Sequence, residues 1–141
     1  LKQKEKHQKS TTDALESVAR SLPGLIRAEK VQHKAAKVGF DWDDVSGALE
    51  KVREETAEVA RAVAGDGDPS EELGDLLFAA VNVARFLKTD PEEAISRTTD
   101  KFIRRFAQVE QAARDAGKDL ADMSLAEMDA LWDAAKQKEH T

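Results

Sequence analysis

The stretch EETAEVARAVAGDGDPSEELGDLLFAAVNVARFL, residues 54–87, decides the fold. Two helix-forming runs flank a GDGDPS turn. Asp68 reads as an N-cap, Pro69 as the first helical residue and Glu71 as the third, a capping-box arrangement that opens a helix running to about Leu87. That helix is apolar nearly all round, through Leu73, Leu76, Leu77, Phe78, Val81, Val83, Phe86 and Leu87, which predicts a buried helix. Yet Glu72, Asp75 and Asn82 share one strip of it. Carboxylates beside a buried surface are costly unless something pairs with them.

The run before the turn carries the same peculiarity. Val45, Leu49, Val52, Thr56, Val59 and Val63 recur at alternating fours and threes, a packing seam over roughly 45–64. At 100° per residue, Glu55 lies about 60° from Val52 and Glu58 about 120° round on the same side, with Lys51 close by. Glu54 points further towards solvent. The short turn makes these two helices antiparallel neighbours, so Glu55 and Glu58 can face Glu72 and Asp75. Four carboxylates that close raise each other's pKa and call for cations. All four offer hard oxygen, which selects Mg2+, with Mn2+ as a substitute, over zinc or copper. Either acid pair alone would pass for a solvated face. Two pairs on consecutive helices, one of them on an apolar helix, do not.

The rest of the chain is helical too. A segment from Pro23 to Val38 carries Leu25, Ala28, Val31 and Ala35 at helical spacing and stops at Gly39. A connection, FDWDDVSG, follows. A fourth helix opens on Asp90, Pro91 and Glu93 and continues to Gly117. A last one opens on Ser124 and Glu127 and ends near Lys138. The expected fold is all-α, a bundle of four to five helices over residues 21–138. Residues 1–20 are expected to be a linker or flexible segment, and 139–141 a loose end. Three helices carry seams and one is apolar all round, more surface than a single short bundle covers, which favours self-association.

Composition narrows the function. At 141 residues with a formal net charge of −6, the chain is one domain with no general affinity for nucleic-acid polymers. There is no cysteine, hence no thiolate metal site or thiol nucleophile. No apolar run approaches the roughly 20 residues needed to cross a bilayer, and the opening LKQKEKHQKSTT is not a signal peptide, which favours the cytoplasm. No GxxxxGK[ST] phosphate loop is present, against a conventional ATPase.

A metal cluster that faces phosphates needs cations for the outer oxygens. DKFIRRF, residues 100–106, supplies them: Lys101 and Arg105 flank the seam that contains Phe102, while Arg104 points away. In the last helix Trp132 and Lys136 lie one turn apart on one face. A tryptophan placed like Trp132 is more often a packing anchor than a stacking platform, and Phe40 and Trp42 share that ambiguity. Asn82 reads as a partner of the metal ligands or as a satisfied buried amide.

EETAE at 54–58 followed by EELGD at 71–75 resembles the EExxE…ExxD signature of the MazG family of nucleoside triphosphate pyrophosphohydrolases. The likeness extends through LPGLIRAEKVQ, VGFDW, GDLLFAAVNVARFL and KFIRRF, roughly residues 22–138, and is strongest to the C-terminal domain of the longer, two-domain bacterial MazG. The chain opens on leucine and LKQKEKHQK resembles the segment joining those two domains, which implies that domain alone or a shortened relative, without an N-terminal domain. The resemblance implies Glu55, Glu58, Glu72 and Asp75 as magnesium ligands, and Lys51, Lys101, Arg105, Trp132 and Lys136 as nucleotide-binding residues. Glu54 matches the first acid of the signature, a catalytic candidate alongside Glu55 and Glu58. Thr99 departs from the family's asparagine. The resemblance also implies a helical-bundle dimer with active sites shared between subunits. The implied reaction is hydrolysis of NTPs and dNTPs, with broad specificity, to monophosphate and pyrophosphate by water attack at the α-phosphorus, a nucleotide-pool cleaning role. The alternative is a non-catalytic helical module that binds nucleotide or docks a regulatory partner; an intact acid quartet is what such a module would not need.

Overall fold

The computed structural model describes residues 10–140, and every regular element among them is helical. The helices are α1 (Thr11–Glu16), α2 (Gly24–Ala36), α3 (Val45–Val63), α4 (Pro69–Phe86), α5 (Pro91–Asp115) and α6 (Leu125–Glu139), with a 3-10 turn at Leu120–Asp122 before the last. The chain divides into two compact units, one up to Ala94 and one from Ile95. None of these helices is long and apolar enough to cross a membrane.

The helix starts follow their caps. Asp44 accepts from the Ser46 N–H at 2.9 Å and opens α3. Asp68 accepts from the Ser70 N–H at 3.0 Å and opens α4, with Pro69 in the first turn where its missing N–H costs nothing. Ser124 and Glu127 close a reciprocal capping box at α6. From α2 to α5 the ends fall a residue or two inside the expected bounds. Gly39, at φ 91°, adopts the left-handed turn that brings its own N–H to the Ala36 carbonyl and redirects the chain into Phe40–Trp42.

In the first unit α3 and α4 pack as a helical hairpin, with α2 laid on α4 and α1 on α2. The buried apolar side chains of the hairpin are small: Ala48 and Ala62 on α3, and Ala79 with Val81 on α4. Short side chains bring the two backbones close, and that closeness presses the acids of α3 against those of α4. In the second unit Val109 and Ala113 of α5 and Ala135 of α6 are buried, and Phe102 stacks with Phe106 and tilts against Trp132.

Three expectations need revision. The segment expected to be loose over 1–20 contains α1, capped by Ser10 and Asp13, and buries Val18; residues 1–9 lie outside the described ones. At the other end Glu139 is helical and bonded, because Arg105 holds its carboxylate. The helix read as buried all round, α4, is buried only where α2 and α3 cover it: Leu73, Leu77 and Phe78 are about half exposed. Apolarity gives the area that needs a partner; it does not say whether the same chain supplies one.

Gly47 sits under Trp42. A Cβ there would stand 2.6 Å from Trp42 Cγ. Gly47→Ala is therefore expected to displace the indole and cost about 1–3 kcal/mol of stability, measured by urea denaturation. A neutral substitution would mean that the FDW segment does not lie on α3.

Candidate active site

Helix α3 presents Glu55 and α4 presents Glu72 and Asp75, and one carboxylate oxygen from each lies within 4.8 Å of the others. Glu55 is buried, Glu72 half-buried and Asp75 exposed, so the group lines a floor with an open side. Lys51, one turn before Glu55, reaches it at 3.1 Å and Glu54 at 3.6 Å. The Glu55 contact is the main cause that raises the Lys51 pKa above the ordinary lysine value. Glu72 has the opposite problem. Desolvation first, then the negative charges of Glu58, Asp75, Glu55 and Glu71, push its pKa up.

Three of the four expected metal ligands thus come together. Glu58 stands near enough to repel Glu72, but its carboxylate is turned to Arg61, one turn further along α3, and stays outside the group. Glu54 faces solvent as expected, with 59% of its side chain exposed. The donor set is carboxylate oxygen throughout, which suits Mg2+ or Mn2+.

Lys101, Arg105, Trp132 and Lys136 belong to the second unit. Lys101 and Lys136 are exposed. Arg105 is buried and forms a fork with Glu139, Nε at 3.1 Å and Nη2 at 2.6 Å, while its guanidinium lies 5.0 Å from the Trp132 ring centre. The pair draws the Glu139 pKa down and the Arg105 pKa up. Trp132 is also in contact with Phe102 at 5.1 Å, so this ring is engaged as a packing anchor.

Sequence reasoning missed two groups. One is Glu139. The other is a relay in the first unit, where Asp41 takes both terminal nitrogens of Arg85, at 2.9 and 2.7 Å, and Arg85 in turn donates to Asn82 Oδ1. This relay holds the Asp41 pKa below the usual carboxylate range. Asp41 and Arg85 lie 44 residues apart, so no local spacing announces them. Gln32, buried on α2, donates to the Phe78 carbonyl at 2.8 Å and leaves its own Oε1 without a partner among the described residues.

The chain is similar to known proteins along most of its length. The chain is 41% identical over 143 aligned positions to the nucleoside triphosphate pyrophosphohydrolase of Escherichia coli K12, which covers 99% of this chain and 54% of that protein. It is 40% identical over 123 positions to the nucleoside triphosphate pyrophosphohydrolase/pyrophosphatase MazG of Thermotoga maritima, 85% of this chain and 47% of that one. A shorter stretch of 68 positions is 59% identical to the uncharacterized protein YabN of Bacillus subtilis. The chain spans about half the length of the first two relatives. Residues 40–110, which carry both acidic signatures and the α3–α4 hairpin, match the MazG nucleotide pyrophosphohydrolase domain, and the chain belongs to that family.

Proposed function

We propose that this domain hydrolyses nucleoside triphosphates, ribo and deoxy alike, to nucleoside monophosphate and pyrophosphate in a Mg2+-dependent reaction. The observation that carries this reading is the convergence of Glu55, Glu72 and Asp75 across two packed helices. The names of the Escherichia coli and Thermotoga maritima relatives support it.

Glu55, Glu72 and Asp75 hold the cation, and Glu58 joins them when its side chain leaves Arg61. A divalent cation in this cluster supplies Lewis acidity: it offsets phosphate charge and makes water a competent nucleophile near neutral pH. Lys51 keeps the Glu55 carboxylate oriented through the 3.1 Å contact. Water attacks the α-phosphorus in line, the bond to the α–β bridging oxygen breaks, and pyrophosphate leaves with that oxygen. Glu54, solvated and outside the cluster, accepts the proton of the attacking water. Lys101, Arg105 and Lys136 bind phosphate oxygens, and Trp132 carries the Arg105 guanidinium. Glu139 occupies the Arg105 fork as a carboxylate does, in the geometry a phosphate would use.

The working form is a homodimer. Leu73, Leu77 and Phe78 stay half exposed on α4, and a groove of about 400 Å³ runs beside them, lined by Leu25, Ala28, Leu77 and Val81. A second copy that covers this face removes the apolar surface from water.

Incubation of the chain with NTPs and dNTPs plus Mg2+, with products resolved by anion exchange, is expected to give monophosphate and pyrophosphate. Glu58→Ala and Asp75→Ala should each lower kcat/KM about a hundredfold or more. Diphosphate with orthophosphate would mean attack at the γ-phosphorus and sink the mechanism.

The crowded acids give a second test. Because the folded pKa of Glu72 lies above its unfolded value, its protonated form is favoured in the fold. Whatever stability this contributes is present at low pH and lost as pH rises through the folded pKa. Metal-free Glu72→Gln is therefore expected to melt higher than the parent at pH 8 and to lose that advantage near pH 4. In Mg2+ the order should reverse, since only the parent gains the cation's binding energy. A parent whose Tm ignores Mg2+ would remove the metal from the reading.

A further inference from the structure

Arg105 is given to a phosphate in the reading above, yet its fork is already filled. The Glu139 carboxylate accepts from Nε at 3.1 Å and from Nη2 at 2.6 Å. A phosphate gripped side-on would set two oxygens against the same two nitrogens. The two anions exclude each other.

The pair is built so that the carboxylate is the part that can leave. The Arg105 side chain is 10% exposed and that of Glu139 30%, so the pair opens to water on the Glu139 side. The Trp132 ring lies 5.0 Å from the guanidinium, and Phe102 packs on that ring at 5.1 Å. Arg105 therefore keeps one support when the carboxylate goes. Glu139 is the last residue of α6, where the helix dipole favours cations, and Lys136 and Lys138 occupy that turn as the dipole asks. An acid at this position works against the helix, and the arginine is what holds it there. Rotation about its own side-chain bonds carries the carboxylate into water with no backbone bond broken.

We propose that Glu139 is an autoinhibitory latch, a carboxylate that occupies the phosphate seat on Arg105 and is displaced by the polyphosphate chain of the substrate. The latch weakens nucleotide binding by the fraction of time it is closed. A fork open in about one molecule in ten binds phosphate about tenfold more weakly than one always open. The proposal rests on the reading of Arg105 as a phosphate ligand.

The test titrates the metal-free, 15N-labelled full-length chain with inorganic tripolyphosphate and follows the Arg105 Nε–H resonance, assigned with Arg105→Lys. Glu139→Gln keeps the size of the side chain and removes its charge. It is expected to bind tripolyphosphate about tenfold more tightly than the parent, and to lower the KM for NTPs in Mg2+ by a similar factor. Glu139→Asp, one methylene short of the fork, should give a smaller gain, and serves if the glutamine variant unfolds. Loss of a nearby negative charge would favour any anion, so the gain must vanish when Glu139→Gln is made in an Arg105→Lys background. A gain that persists there overturns the latch. Unchanged affinity in Glu139→Gln also overturns it, and weaker binding would make Glu139 a support that orients Arg105. An Arg105 resonance that ignores tripolyphosphate in parent and variant alike removes the phosphate reading, and the latch with it. Tighter binding of tripolyphosphate without turnover of NTPs supports the latch and defeats the hydrolysis.

Discussion

The constraint behind this domain is the confinement of like charges. Ala48, Ala62 and Ala79 let α3 and α4 approach closely, and the approach sets Glu55 against Glu72 and Asp75. A larger residue at any of these alanines would push the helices apart and relieve the repulsion. The fold holds the acids together by small-residue packing in the hairpin and by one lysine, Lys51, rather than by a net of compensating cations. Part of the stability won by packing is thus held against the mutual repulsion of these carboxylates.

Arg105 shows a related economy in the second unit. A buried guanidinium needs an anion, and Glu139 serves from the last residue of α6. The fork and the Trp132 ring together fix the orientation of the guanidinium, so little side-chain freedom is left to it.

Much of this was legible in the sequence, and the part that was not has a common character. Helix starts are local chemistry: Asp68 and Ser124 each bond within three residues, so these caps could be read directly. The facing of Glu55 with Glu72 and Asp75 follows from helical spacing plus one short turn. Glu58 does not, because spacing fixes where a side chain starts, and Arg61 decides where it ends. The Ser10 and Asp13 box that opens α1 was local too, but six helical residues with little apolar content left no periodicity to notice. Asp41 with Arg85, and Arg105 with Glu139, are tertiary pairs that only the folded chain brings together. The half-exposed Leu73, Leu77 and Phe78 mark a further boundary, since composition cannot say how many chains share a core.

Glu72, Asp75 and Asn82 lie along one strip of α4. A helix is a ruler whose divisions cannot be adjusted: each residue advances about 1.5 Å and turns about 100°. One residue inserted between Asp75 and Asn82 would lengthen the interval only slightly, yet swing the amide off the face that holds the acids. A loop such as FDW has no such periodicity. The interval between the acids and the amide is therefore set by the helix itself and not by the loops around it.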